Sequence, residues 1–402
     1  MKNKIFKLIN ICVISSFLTA CGGGGGSSSE TTTPSETTST TPSEETSVEI
    51  SYPITPLGTA IDYSKFAWSI NGTSLDSSFK TTNTIDDNAH IHMPSSTNNQ
   101  KIKVAIIDQG FQYNHPDLAE KVIDVKYISN TILENEYHGT AIAGIIASTY
   151  LGVAPNNVEL ILINIDFDSI TESELIEAFN YAKDAGAKII NCSWGSTRDE
   201  TNTYPFSQTF TNTIANLKIA GISVIFASGN GDDSENALDL DNSLNDLSEL
   251  DSAIGVGATS VLNDVTSYSN YGSNIDIIAP GGGGYYNSVD LIGMISLDLV
   301  GDAGISNSSD IDKGANYAFW KGTSFSVPTI SGVIALMLSE NPNLTAENIR
   351  SILIETADKV SNDSSAQYID LASDNTTSTF NTQRAYGKVN ASAAIQAAIN
   401  AL

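Results

Sequence analysis

Gly322-Thr323-Ser324-Phe325-Ser326-Val327-Pro328 opens an apolar segment that runs from Ser324 to Ser339, and its reading decides the fold. Phe325, Val327, Ile330, Val333, Ile334, Leu336, Met337 and Leu338 leave almost no polar face, so the segment reads as a helix through the core rather than over it. Pro328 falls about one turn in, where its missing N–H costs at most one hydrogen bond, and Gly322 permits a tight entry. Ser324 then stands in the partial positive field of a helix N-terminus, a place that favours an oxyanion formed beside it. A plain N-cap on a core helix would leave the same local pattern, so the meaning of Ser324 depends on what the rest of the chain brings to it.

Working outward, alternation of strand and helix follows Asp108. Strands are predicted at 102–107, 158–165, 187–191 and 222–227, and helices at 138–149, 171–185 and 207–220. Leu160-Ile161-Leu162-Ile163 and Val224-Ile225-Phe226 are continuous apolar runs, as strands covered on both faces require. The pattern implies an α/β fold, a three-layer α/β/α sandwich with a mostly parallel central sheet, in which function gathers at the carboxyl ends of the strands. Asp108, Ser193 and Asn230 fall at such ends. Residues 285–318 read as a long polar loop, and helices at 345–357 and 389–401 close the chain.

Asp108 ends the apolar run Val104-Ala105-Ile106-Ile107, and His138 opens His138-Gly139-Thr140-Ala141-Ile142-Ala143-Gly144. Carboxylate, imidazole and hydroxyl are the parts that nucleophilic acyl transfer needs, and here they come in the order Asp, His, Ser. With these three motifs the chain resembles the subtilisin-like serine proteases (subtilases, peptidase family S8) over roughly residues 100 to 400. The resemblance implies Ser324 as nucleophile, His138 as base and Asp108 as the group orienting the imidazole. It implies Asn230, in Ala227-Ser228-Gly229-Asn230, as side-chain donor to the oxyanion. It also implies Ser193-Trp194-Gly195 as the segment pairing with an extended peptide, with Trp194 narrowing a subsite, and Ala227, Ser228 and Gly229 as a pocket wall. No acid lies within those short segments, which points to apolar or broad preference. Gln109 stands where the family has a small hydroxyl, and Phe325-Ser326 where it has Met-Ala.

His115-Pro116-Asp117-Leu118 matches a family segment whose aspartate serves a calcium site in many members, but the stretch from Ile146 to Leu151 is too short to supply the other ligands. No metal site is therefore assigned. The chemistry needs no cofactor, and structural calcium stays open, with the acidic stretch 232–251 as a second place for it. His90 and His92 lack an acid or cysteine cluster to complete a site and read as surface histidines.

Residues 1–20 have a basic start, an apolar run and small residues before Cys21, the layout of an export signal. Leu18-Thr19-Ala20-Cys21 resembles a bacterial lipobox, which implies lipidation of Cys21 and a membrane anchor at the cell envelope, and Gly22 resembles the pattern sorted to an outer membrane. Residues 21–47 are a Gly/Ser/Thr/Pro tether, 48–100 an N-terminal extension packed on the body, and 101–402 the peptidase domain. Cys12 and Cys21 belong to the leader, so Cys192 stays alone in the body as a small buried filler and no intrachain disulfide forms there. The formal charge of −27 grows more negative once Lys2, Lys4 and Lys7 leave with the leader, which excludes nucleic acid as a partner and leaves protein or peptide substrates.

Overall fold

The computed structural model describes residues 67–71, 86, 88–94, 98–128, 137–195, 206–231, 237–240, 246–286, 289–290, 292–305, 316–360, 367–370 and 379–401. Residues 1–47, which carry the expected signal segment, the expected tether and Cys21, lie outside them. So does much of the acidic stretch, at 232–236 and 241–245.

Seven strands form one parallel sheet: β1 (Ile102–Asp108), β2 (Val122–Tyr127), β3 (Val158–Asn164), β4 (Ile189–Cys192), β5 (Ser223–Ala227), β6 (Ile254–Thr259) and β7 (Ile277–Pro280). Their order is β2-β3-β1-β4-β5-β6-β7, which reverses direction of growth at β1. That reversal opens the crevice in which ligands of such sheets bind. Alternate residues point to opposite faces. Val104, Ile106, Leu160, Leu162 and Ile225 join one core, and Ala105, Ile107, Ile161, Ile163 and Phe226 join the other.

The first core lies under α2 (His138–Ala147), α5 (Thr323–Glu340) and α7 (Ala391–Asn400), and the second under α3 (Glu172–Asp184) and α4 (Gln208–Ile219). The three layers expected from the alternation are thus present. α5 is buried along almost its whole length, as its sequence requires. α3 starts with a capping box between Thr171 and Glu174, and α6 (Ala346–Glu355) with the same arrangement between Thr345 and Asn348. Each cap of this kind holds a helix start by about 1 kcal/mol.

The segment 285–318 is corrected by the structure. It contains β8 (Tyr285–Tyr286), β9 (Val289–Asp290), β10 (Met294–Leu297) and the start of β11 (Tyr317–Trp320). β10 pairs antiparallel with β11, and Met294, Ile295 and Leu297 are core residues. A four-residue apolar run whose partner lies some twenty residues away carries no local sign of pairing. A small antiparallel pair, β12 (Ile369–Asp370) and β13 (Thr379–Phe380), stands apart from the main sheet. A short helix, α1 (Trp68–Asn71), precedes the sheet, and Trp68 Nε1 donates to Gly293 O at 2.9 Å. Ile91 O and His92 O accept from the N–H groups of Ala391 and Ser392, so this N-terminal stretch satisfies the first turn of α7.

Candidate active site

β1 ends at Asp108, and the two residues after it direct the next step. Gly139 N–H donates to Gln109 O at 2.9 Å, and Thr140 N–H to Gly110 O at 3.0 Å. The otherwise unpaired first turn of α2 is therefore bound to the loop leaving β1, which brings His138 over Asp108. His138 Nδ1 lies 2.7 Å from Asp108 Oδ1, and both side chains are buried. Gln109 N–H donates to the same oxygen at 2.7 Å. With Nδ1–H held by the carboxylate, Nε2 is the nitrogen left to act as a base.

Ser324 is the second residue of α5, and the ring of Phe325 meets His138 edge-on at 5.7 Å between centroids. Trp320 stacks on Phe325 at 5.6 Å between centroids. The nucleophile candidate is half-buried and makes no hydrogen bond to His138 in this structure, a link that closes in many enzymes only with substrate bound. Gly322 enters the helix with φ 137°, in the region that favours glycine, and a Cβ there would stand 3.3 Å from Asn230 Nδ2.

Asn230 follows β5. Its Oδ1 accepts from Thr323 N–H at 2.8 Å and from Thr323 Oγ1 at 2.9 Å, while Thr323 Oγ1 in turn accepts from Gly229 N–H at 3.2 Å. Two donors on the oxygen orient the amide, so Nδ2 is the end presented beside Gly322 and the head of α5. Thr323 is the part of this arrangement that sequence reading missed, although it lies inside the motif that drew attention to Ser324.

The segments Ser193-Trp194-Gly195 and Ala227-Ser228-Gly229 leave the neighbouring strands β4 and β5, and a Cβ on Gly195 would sit 3.2 Å from Ala227 O. They are side by side, as two walls of one cleft would be. Trp194 does not narrow a subsite with its side chain. It is 2% exposed, donates to Ile107 O at 2.7 Å and packs on Phe226 and Phe167 in the core under α3 and α4. Strand alternation sends it there: Cys192 faces that core, so its second neighbour along the strand does too. Ser193 Oγ accepts from Asn191 Nδ2 at 2.9 Å, and Asn191 Oδ1 from Ser331 Oγ at 2.9 Å, which ties this wall to α5. The carboxylate of Asp246, considered in the sequence only as part of the acidic stretch 232–251, comes within 3.8 Å of the position a Gly195 Cβ would take, and caps Ser248. Burial, and secondarily the charge of Asp108, pushes the Cys192 thiol well above its ordinary range, which suits a filler and not a nucleophile.

Asp117 is engaged by protein groups. It accepts from the Ser148 hydroxyl and from Thr149 N–H at 2.7 Å, with Lys121 Nζ 4.0 Å from Oδ1. The ammonium also donates to Asp117 O at 3.1 Å and to Thr149 Oγ1 at 2.8 Å, fastening this loop to the end of α2. Among the described residues no group of three His, Cys, Asp or Glu side chains could hold a metal ion. His90 and His92 are half-buried, and His92 Nε2 lies 3.2 Å from Asp358 Oδ2.

His115, in the same loop as Asp117, is fully buried. Its Nδ1 accepts from Asp117 N–H at 3.1 Å and its Nε2 faces Asn316 O at 3.3 Å, so the neutral Nε2–H tautomer fits and a proton on Nδ1 would oppose an N–H. Burial lowers its pKa to about 4, against a smaller upward pull from Asn316 O. The unfolded chain takes up this proton near pH 6.5 and the folded chain only near 4. Stability is therefore expected to fall as pH drops through that window, by about 3 kcal/mol at its lower end. His115→Asn should lower stability at pH 8 and flatten its dependence between pH 6.5 and 4, read from urea midpoints. An equal slope in both proteins would contradict this.

A parallel α/β sheet with a buried carboxylate–imidazole pair at the reversal of strand order, and a serine at the head of a core helix, defines a serine-hydrolase class of site. Residues 99–388 match the model of the subtilase family, and the chain belongs to that family of serine-type endopeptidases. The thermophilic serine proteinase of Bacillus sp. strain AK1 is 31% identical over 273 residues, covering 64% of this chain and 57% of that protein. Thermitase of Thermoactinomyces vulgaris is 30% identical over 269 residues, covering 64% of this chain and 82% of thermitase. Among solved structures, the serine protease of Aeromonas sobria superposes with a TM-score of 0.61 at 23% identity, covering 75% of this chain and 61% of that one, a likeness of fold.

Proposed function

We propose that this chain is an extracytoplasmic endopeptidase that cuts protein or peptide substrates with Ser324 as nucleophile, His138 as general base and then acid, and Asp108 as the group fixing the imidazole. Asn230 Nδ2 and the Ser324 backbone N–H receive the oxyanion. The observation that carries the reading is the 2.7 Å contact between His138 Nδ1 and Asp108 Oδ1, held beside the N-terminus of α5. His138 removes the Ser324 proton as Oγ attacks the carbonyl carbon. The same proton then passes to the leaving amine, and a water repeats the sequence to release the acyl group. The field at the head of α5 favours the negative oxygen throughout.

Substrate lies in extended form against the Ser193–Gly195 segment, which reads backbone more than side chain. The chain is anchored to the cell envelope through lipid on Cys21, with the outer membrane or cell surface as its site. The Leu18-Thr19-Ala20-Cys21 sequence and the Gly22–Ser47 spacer support this part. No helix among the described residues is long and apolar enough to cross a membrane.

Incubation with a serine-directed phosphonate and peptide mapping should place one adduct on Ser324, with casein digestion lost in step with labelling. Labelling elsewhere, or digestion that survives full labelling, would refute the assignment. Palmitate incorporation in cells that vanishes in Cys21→Ser tests the anchor separately.

A further inference from the structure

Asp108 and Asn164 are direct partners in register on the parallel strands β1 and β3. Val104 and Ile106 on one strand, and Leu160 and Leu162 on the other, face the core under α2 and α5, so by alternation Asp108 and Asn164 face that side too. Both are buried, Asp108 at 0% and Asn164 at 3% exposure. Asp108 Oδ1 already receives Gln109 N–H and His138 Nδ1, yet Oδ2 has no hydrogen-bond partner. Asn164 Oδ1 accepts from Gly110 N–H at 3.0 Å, which fixes the amide's orientation, and its Nδ2 has no partner. One unfilled acceptor on a carboxylate and one unfilled donor therefore stand on adjacent positions of one face. Buried polar groups are paired in the great majority of cases, and here each supplies what the other lacks.

We propose that Asn164 is a positioning residue for the Asp108–His138 pair, donating from Nδ2 to Asp108 Oδ2 directly or through one buried water. This inference rests on Asp108 and His138 being the working pair. The bond sets the rotation of the carboxylate, so that Oδ1 points at Nδ1 and the ring is held for proton transfer. It also draws charge from the carboxylate, which moderates how strongly Asp108 favours the protonated imidazole. Gln109 does not serve this purpose: its Oε1 accepts from Phe167 N–H at 2.9 Å, and Asp108 Oδ2 receives no bond from its Nε2. The Gly110 N–H bond gives Asn164 a second tie to the loop that also binds the first turn of α2.

Asn164→Leu keeps the branched skeleton and removes the donor, and Asn164→Thr puts there a hydroxyl that can both accept from Gly110 N–H and donate. For Asn164→Leu, kcat on a peptide substrate is expected to fall roughly tenfold to a hundredfold with KM changed little. The acid limb of its kcat/KM profile should move to higher pH, since a carboxylate stripped of a donor holds the imidazolium more strongly. Asn164→Thr should lose less activity and keep its acid limb near that of the native enzyme. A merely structural asparagine would change thermal midpoints in both variants and leave the acid limb of the folded enzyme in place. That result, or native-like kcat in Asn164→Leu, overturns the proposal. Ser324→Ala is run beside them: if it is inactive while Asn164→Leu is native-like, only the role of Asn164 fails, whereas an active Ser324→Ala removes the pair itself.

Discussion

Ser324→Ala is expected to lower the turnover of a peptide amide on the order of 10⁶-fold, the scale known for loss of the catalytic serine in subtilisin. Substrate affinity and the thermal midpoint should hardly change. The reason is local. Ser324 is the second residue of a helix whose burial comes from Phe325, Val327, Ile330 and the apolar residues beyond, and none of those contacts depends on the hydroxyl. Removing Oγ leaves His138 paired with Asp108 and Asn230 held by Thr323, so the cleft keeps its shape. What disappears is the atom that would form the acyl bond, and the donors for the oxyanion can assist only a direct attack by water. The measurement is single-substrate kinetics beside a melting curve, with the residual rate compared with that of the phosphonate-blocked native enzyme. Turnover within tenfold of native would mean that another residue carries the chemistry.

The same helix shows why so much of the molecule could be read from residues alone. An eighteen-residue segment that is apolar all round has few places to go, and the alternation of helix and strand before it leaves a parallel sheet as the partner. Where physics is local, expectation and structure agree to within two residues at most element ends: Ile102–Asp108 and Val158–Asn164 are examples. β2, β6 and β7 of the main sheet were not expected, and the illegible places had different reasons. β6 carries Gly255 and Gly257, residues that argue against a strand, and the cause is crowding that no window of sequence reveals: a Cβ on Gly255 would collide with Ser248 O. β10 is too short to announce itself and finds its partner only through tertiary contact. Trp194 has the size and position of a subsite wall, yet it occupies the opposite core because the parity of β4 carries through the end of the strand. Asn164 was hidden in another way. Nothing in Leu162-Ile163-Asn164-Ile165 connects it with Asp108, fifty-six positions earlier, until the register of β1 on β3 is known.

Asn230→Ala should reduce kcat by about 10²–10³-fold, the scale known from subtilisin, with KM nearly unchanged. The selectivity for kcat follows from geometry. A donor aimed at the head of α5 meets an oxygen that becomes anionic and tetrahedral, so it contributes little to binding the planar ground state. Thr323 makes the prediction sharper. Its N–H and hydroxyl both hold Asn230 Oδ1, and its hydroxyl is itself held by Gly229 N–H, so the amide has no freedom to turn its oxygen toward the site. Thr323→Val keeps the shape and loses the hydroxyl, leaving one donor to fix the amide. Its kcat is expected to fall by roughly tenfold, the value of about one hydrogen bond. If Thr323 acts only by orienting Asn230, the double variant Thr323→Val with Asn230→Ala will be no slower than Asn230→Ala alone. Multiplicative losses would show instead that the threonine has a separate effect on α5, and equal turnover in native protein and Asn230→Ala would leave the oxyanion to the backbone N–H and the helix field. The discriminating quantity is the coupling between the two substitutions in kcat, because a hydroxyl that merely stabilised the helix would add its cost to any variant.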